Sequence, residues 1–412
     1  MSAKFSKPLY ITIILWLLAV VFVSNYNSNV PLEAHHNYRW FNYEVPNHVI
    51  DSINRYKQAP IVEHYFAISP PSHLTPEQWG QAQSASAKLK LDSQQGGYTS
   101  FPPGVMILGY FFSELFETVL PATPLDKQLQ LFNFLLWYLS IVFLMMFFLR
   151  VQAPGSQNTL ILVLSTLPLI FAVEPLHSHH TSLWGHQLYQ VVLAATLLLF
   201  LGRNSQPGIV GLSLVCAFGL WVEWTAFLTA GIIQLILIYE YVNKRVSARS
   251  AITFFGILLT SSLLFLMYHH LLFGLDVYFS QMFGRFSARS FVEYYTWSQW
   301  FQNLLQSYRY WLLLIPISLF ILVLKRKEID KSLLFTIIVC ALILIENVLM
   351  FEHSIVYTFD RLKWGVFISL LVFASLVVIQ KSRAALLVTC IAFLVISIDS
   401  LNQYMHIYKP FW

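Results

Sequence analysis

Apolar runs of about 17 to 25 residues, each long enough to cross a hydrocarbon layer, recur along this chain between short clusters of Lys and Arg. Lipid offers no hydrogen-bonding partner, so every spanning backbone N–H and C=O must be satisfied within the segment, and such runs are read as helices. Composition agrees: of 412 residues, 57% are hydrophobic and 11% charged, with a mean hydropathy of +0.61. The expected fold class is an all-α polytopic membrane protein, a single transmembrane domain over 1–412.

The runs fall near 8–24, 128–149, 159–174, 187–202, 251–271, 308–324, 332–350, 364–380 and 384–400. The first follows Lys4 and Lys7, and "SNYNSNVPLEAHH" after it offers no small-x-small cleavage site, so it is read as an uncleaved helix. Short basic clusters face the cytoplasm. Keeping Arg203 and Lys244 on one side makes 209–243 a helical pair that turns near "GLWVEW". The same parity makes the run after "GGYTSFPPG" a surface or re-entrant helix, since a full crossing at 104–120 would turn every later cluster outward. Glu114 and Glu117, costly to place in lipid, favour that reading. The expectation is about eleven spans, N-terminus in and C-terminus out. A long first outer loop covers 25–127, a helical core 128–245, and further helices and outer loops 246–412. Compact outer loops without a targeting extension suggest a bacterial inner membrane.

In this topology all 13 histidines and nearly all the acids fall on or near the outer face. The first loop, "VPLEAHHNYRWFNYEVPNHVIDSINRY", offers Glu33 and Glu44 as bases; its other reading is an interfacial helix anchored by Trp40, Phe41 and Tyr43. "HLTPEQWGQAQSASAKLKL" has Thr75 as N-cap and Pro76 at the first helical position. It reads as an exposed helix without chemistry. A second outer loop, "EPLHSHHTSLWGHQ", carries Glu174, His177, His179, His180 and His186. Imidazole and carboxylate bind divalent ions, so these five could supply metal ligands, with Glu174, His177 and His180 the first candidates; the alternatives are hydrogen bonding to a polar ligand and plain interfacial solvation. Glu223 and Glu346 sit at the edges of apolar runs, where ionisable groups line a site or pathway, or pair between helices. His353 lies in "FEHS", close to Arg361 and Lys363. Arg285, Arg289, Arg361 and Lys363 depart from the inside rule, and guanidinium groups suit phosphate. The alternative is pairing with Glu293 or Asp360.

Charge is spread over loops, which excludes a nucleic-acid face. Cys216, Cys340 and Cys390 lie inside apolar runs without metal or redox spacing.

The first helix with its acid-bearing outer loop, the "Y-x-S-x-PP" lead-in to a short apolar helix, the basic end "FFLR" and the run "STLPLIFAVEPLHSHH" together resemble the GT-C class of polytopic glycosyltransferases. That class includes protein mannosyltransferases, aminoarabinose transferases and oligosaccharyltransferases. The resemblance implies transfer of a sugar from a polyprenyl-phosphate donor to a lipid, glycan or protein acceptor at the extracytoplasmic face, with membrane lipids as surroundings. It implies Glu33 as the base, with Glu44 in reserve, and Arg285, Arg289, Arg361 and Lys363 near the carrier phosphate. Tyr98, His177, His179, His180, Glu223 and His353 are further substrate-binding candidates. Where the class usually has a second-loop acid this chain offers Glu174 and histidines, so no cofactor is required and a divalent metal is optional. Readings from other classes are a transporter or channel for an anion or metal ion, and a non-catalytic membrane scaffold.

Overall fold

The computed structural model describes residues 44–68, 101–152, 158–181, 183–290 and 295–408. Glu33, Tyr98 and the runs 8–24 and 73–91 lie outside them, and every regular element among the described residues is helical. Helix α1 (Glu44–Gln58) packs on α2 (Gly104–Val119). It buries Val49, Ile53 and Tyr56, and its Lys57 donates to Ser113 at 2.7 Å and pairs with Glu117. The 16 residues of α2 rise about 24 Å, short of the roughly 30 Å hydrocarbon core.

Next come α3 (Leu125–Val151), α4 (Thr159–Phe171), α5 (Val173–Thr181), α6 (Gly185–Phe200), α7 (Gln206–Leu220) and α8 (Thr225–Val242). They are followed by α9 (Ala248–Phe273), α10 (Leu275–Ser290), α11 (Trp297–Tyr308), α12 (Leu314–Lys325) and α13 (Lys331–Ile343). The short α14 (Ile345–Leu349) and α15 (Phe351–Val356) lead to α16 (Leu362–Ile379) and α17 (Arg383–Tyr408). Among the described residues seven stretches are long and apolar enough to cross a membrane, or eight if the bent pair α4–α5 counts as one. Helices α6 and α7 are apolar but shorter; the sequence run 8–24 lies outside the described residues.

The sequence "LKWGVFISLLVFASLVVI" of α16 is apolar on all sides, the pattern of a helix with protein around it. Its span is 83% buried, against 17% for α17 and 22% for α9. It packs on α4, α12, α13 and α6, with Phe148 of α3 stacked on Phe373 at 4.2 Å. Helix α6 in turn lies between α3 and α7.

One sequence expectation is corrected. "EPLHSHHT" is not an outer loop but the buried helix α5, set at 62° to α4. Ala172 takes an extended ψ of 149° and ends α4, while Pro175 lacks an N–H only where the first turn of α5 needs none. The chain therefore turns into the bundle and carries Glu174 and three histidines with it.

The turn at "GLWVEW" is found between α7 and α8, and an ion pair closes its base. Arg203, just past α6, donates from Nε and Nη2 to Glu240 of α8 at 2.7 and 2.6 Å. Both groups are buried, so α7 and α8 go out and return to the same end, as charge parity requires. Breaking such a pair leaves one desolvated charge and costs about 3–5 kcal/mol. Glu240→Leu is expected to lower the thermal midpoint of the detergent-solubilised protein strongly, and Arg203→Met with Glu240→Leu to recover much of the loss. Equal midpoints for the single variant and the parent would remove the pair from the stability of this end.

Candidate functional site

At the other end of α7 and α8, helix termini converge and bury an unusual density of ionisable groups. Asp360 lies in a 3-10 turn, Thr358–Arg361, that leads into α16, and it is fully buried. Its Oδ1 accepts from Lys363 at 2.8 Å and lies 3.2 Å from His186 Nε2. Its Oδ2 accepts from Asn347 at 2.6 Å and lies 3.5 Å from His353 Nδ1. The second ring nitrogen of His186, Nδ1, is 3.3 Å from Glu223 Oε2, and Lys363 also pairs with Glu346 and approaches Thr225 at 3.5 Å. Each side chain comes from a different element: His186 from the first turn of α6, Glu223 from the α7–α8 turn, Glu346 from α14, His353 from α15 and Lys363 from α16.

Close backbone approach makes this convergence possible. A Cβ on Gly185 would stand 2.5 Å from the Val222 carbonyl oxygen and 3.0 Å from Glu223 Oε2. A Cβ on Gly104 would stand 2.4 Å from the Trp221 carbonyl oxygen, which accepts from the Gly104 N–H at 2.7 Å. The Pro102–Pro103 segment is thereby held against the 221–224 turn. Phe101 just before it sits 4.9 Å from Trp184, 6.0 Å from His186 and 6.2 Å from His353, ring centre to ring centre.

Beside the cluster is a cavity of about 360 Å³. Trp224, Leu228, Met282, Phe283, Phe286 and Phe101 make its lining largely apolar, and Glu223, Glu346, His353 and Arg289 add its polar groups. The Arg289 guanidinium lies 5.8 Å from the Phe101 ring and 5.6 Å from Tyr357, close enough for attraction to the ring faces. Burial pushes the Glu223 carboxyl upward, as does the charge of Asp360, against the opposing effect of His186 and Lys363. Burial brings His353 down to about 4, which leaves a neutral imidazole.

The candidates from the sequence separate into groups. Glu223, Arg289 and His353 meet at the cavity. Lys363 is 3% exposed and fixed between Asp360 and Glu346, so its charge serves the cluster. Arg361 is equally buried; it donates to the Ser354 carbonyl at 3.2 Å and lies 3.8 Å from Glu174. Glu174 accepts from Ser178 and Ser307. His180 Nδ1 bonds the Leu176 carbonyl, and His179 lies between Asn133 and Gln190 and stacks on Trp137. His177 is buried on α5. Arg285 and Glu44 belong to α10 and α1, but their side chains lie outside the described residues. Among the described residues, donor atoms of three His, Cys, Asp or Glu side chains come within 4.8 Å of one another at His186, His353 and Asp360, not at Glu174, His177 and His180. Sequence reading missed Asp360 and Phe101 as members of the site, and grouped His186 with Glu174 and the α5 histidines as a possible metal ligand, not with Asp360 and His353. The available signal was the position of ionisable residues at the edges of apolar runs, because 174 residues of chain separate His186 from Asp360.

Gly104→Ala is expected to cost about 1–3 kcal/mol, as overpacking against backbone does, while Gly231→Ala, with open space at its Cβ, should be neutral or stabilising. Thermal unfolding in detergent checks both, and equal midpoints for the two variants would separate the Pro-Pro segment from the integrity of the turn.

No family model matches the chain, and no curated protein matches it. Among solved structures it is similar to ArnT from Cupriavidus metallidurans bound to undecaprenyl phosphate, with a TM-score of 0.58 at 14% identity. The likeness covers 90% of this chain and 62% of that one, so this chain matches under two thirds of ArnT's length. ArnT is an aminoarabinose transferase of the GT-C class, and the fold of this chain is accordingly GT-C-like, the class its sequence resembles.

Proposed function

We propose that this chain is a glycosyltransferase that moves a sugar from a polyprenyl-phosphate-linked donor to a lipid, glycan or protein acceptor at the extracytoplasmic face. The observation that carries this reading is the cavity, whose lining is largely apolar with charged groups added, in a fold similar to one solved with undecaprenyl phosphate. An amphiphile with a long apolar chain and a phosphate head matches both parts. Its chain would lie along Trp224, Leu228, Phe283 and Phe286, and its phosphate would face Arg289.

In the proposed reaction the acceptor hydroxyl oxygen attacks the anomeric carbon as the bond from that carbon to the phosphate oxygen breaks. The bonding pair leaves with the phosphate, whose growing charge Arg289 stabilises. The acceptor proton passes to a carboxylate, for which Glu33 is the candidate and Glu44 the reserve. Attack opposite the leaving group gives inversion. Glu223 and Glu346, in the cavity lining, are placed to accept hydrogen bonds from sugar hydroxyls.

A transporter reading would place the ionisable groups on a path through the bundle. The carboxylates here gather at one end, and Arg203 and Glu240 neutralise each other at the opposite one.

Undecaprenyl phosphate with a diazirine in its chain is the direct probe. In lipid nanodiscs it should label α10 or the 349–350 segment, and unlabelled carrier should compete. Labelling spread evenly over the lipid-exposed helices would sink the donor reading. Arg289→Ala removes a charge-assisted contact worth about 1.5–3 kcal/mol, so carrier competition should weaken by roughly 10- to 100-fold. Once a donor and acceptor pair is found, Glu33→Gln should lower turnover by about 10²- to 10⁴-fold with carrier binding intact. Full turnover would move the base to Glu44 or another carboxylate.

A further inference from the structure

We propose that His186, His353 and Asp360 form a binding site for one divalent cation of the zinc type, with Glu223 as the carboxylate that orients His186. The site shares Glu223 and His353 with the lining of the donor cavity, but it does not depend on the donor reading, because it concerns a different ligand and a direct metal measurement.

Geometry is the first support. Zinc bound to nitrogen at about 2.0–2.1 Å in a tetrahedron separates neighbouring donor atoms by about 3.3 Å. His186 Nε2 lies 3.2 Å from Asp360 Oδ1, and His353 Nδ1 lies 3.5 Å from Asp360 Oδ2. The rings of His186 and His353 are stacked 5.9 Å apart, which turns both toward the same carboxylate.

The second support is the state of the ring nitrogens. All four are buried, and none meets a partner with hydrogen-bond geometry, although carboxylate oxygens stand 3.2–3.5 Å from three of them. A buried polar atom left in this condition costs free energy; a metal bond removes the cost for two of them at once.

The surroundings give the third. Ligating histidines usually donate their other N–H to a carboxylate, which fixes the tautomer. His186 presents Nδ1 to Glu223 Oε2 at 3.3 Å while Nε2 faces Asp360, so a proton on Nδ1 leaves the Nε2 lone pair free for the ion. Asn347 and Lys363 hold Asp360 from outside, in the way ligating carboxylates are held. Charge agrees as well. The carboxylates of Glu223, Glu346 and Asp360 gather around the two histidines and Lys363, an acidic setting that suits a cation. Two imidazoles and a carboxylate favour zinc over magnesium or calcium, which take oxygen ligands. The ion would join α6, α15 and the turn before α16, and its open position would face the cavity through His353.

The test uses the full chain, purified in detergent, stripped with chelator, loaded with zinc sulfate and desalted. Elemental analysis is expected to find about one zinc per chain, and cobalt loading to give the visible absorption of a tetrahedral site. His353→Ala and Asp360→Asn should each lose the bound metal, while His270→Ala, which removes an exposed histidine, should retain it. Wild-type protein that runs as a single species and holds less than roughly a tenth of an equivalent after loading would overturn the proposal. Equal zinc in wild type and in the His353→Ala, Asp360→Asn double variant would overturn it too. Should either single variant fail to fold, the wild-type stoichiometry and cobalt spectrum decide the matter alone.

Discussion

A carboxylate with no exposure to solvent determines how this end of the bundle is built. Moving Asp360 out of water costs several kcal/mol unless opposite charge and hydrogen bonds replace its hydration. Lys363, Asn347, His186 and His353 supply that replacement from four separate elements. Two of those elements are themselves bound to others: Lys363 reaches Glu346 and Thr225, and His186 reaches Glu223. The arrangement is a set of linked dependencies, in which loss of Lys363 would strand the buried carboxylate of Asp360.

That set explains features that look unrelated along the chain. Gly185 is needed because α6 must start against the 221–224 turn for His186 to meet Glu223. Gly104 is needed because the same turn accepts the first N–H of α2, which brings Phe101 over His186 and His353. Helix α16 is apolar throughout and deeply buried, so its first turn is placed rigidly, and Asp360, Arg361 and Lys363 are placed with it.

Much of the fold was legible because lipid permits few backbone solutions. The helical class, the turn at "GLWVEW" and the shortness of the segment after Pro103 follow from hydrophobic run length and charge parity. Buried polar helices were not legible. "EPLHSHHT" has the composition of a loop, and only the packing of α5 against α3, α16 and the 358–361 turn shows that its polar groups lie inside protein. The site was legible in part. Glu223 and His353 stood out as ionisable residues near apolar runs, whereas Asp360, beside Arg361 and Lys363, looked like half of a surface pair. Sequence neighbours suggested local pairing there, and Lys363 does pair with Asp360, but inside the protein, while Arg361 turns to Glu174 and His186 approaches Asp360 from α6.

The two ends of the α7–α8 pair solve the problem of buried charge in opposite ways. At one end Arg203 and Glu240 match in number and geometry, with two parallel hydrogen bonds, and the result is closed and self-sufficient. At the other end three carboxylates gather around Lys363 and two histidines, the ring nitrogens of His186 and His353 lack well-directed hydrogen bonds and an apolar cavity opens beside them. Stability alone favours the first arrangement, since each unmatched group of the second costs free energy in the empty protein. An end that keeps its charges incompletely matched, on a scaffold able to match them elsewhere, is best explained by a ligand that completes it. The proposed ligand has two parts, an amphiphile against the apolar lining of the cavity and a cation among His186, His353 and Asp360.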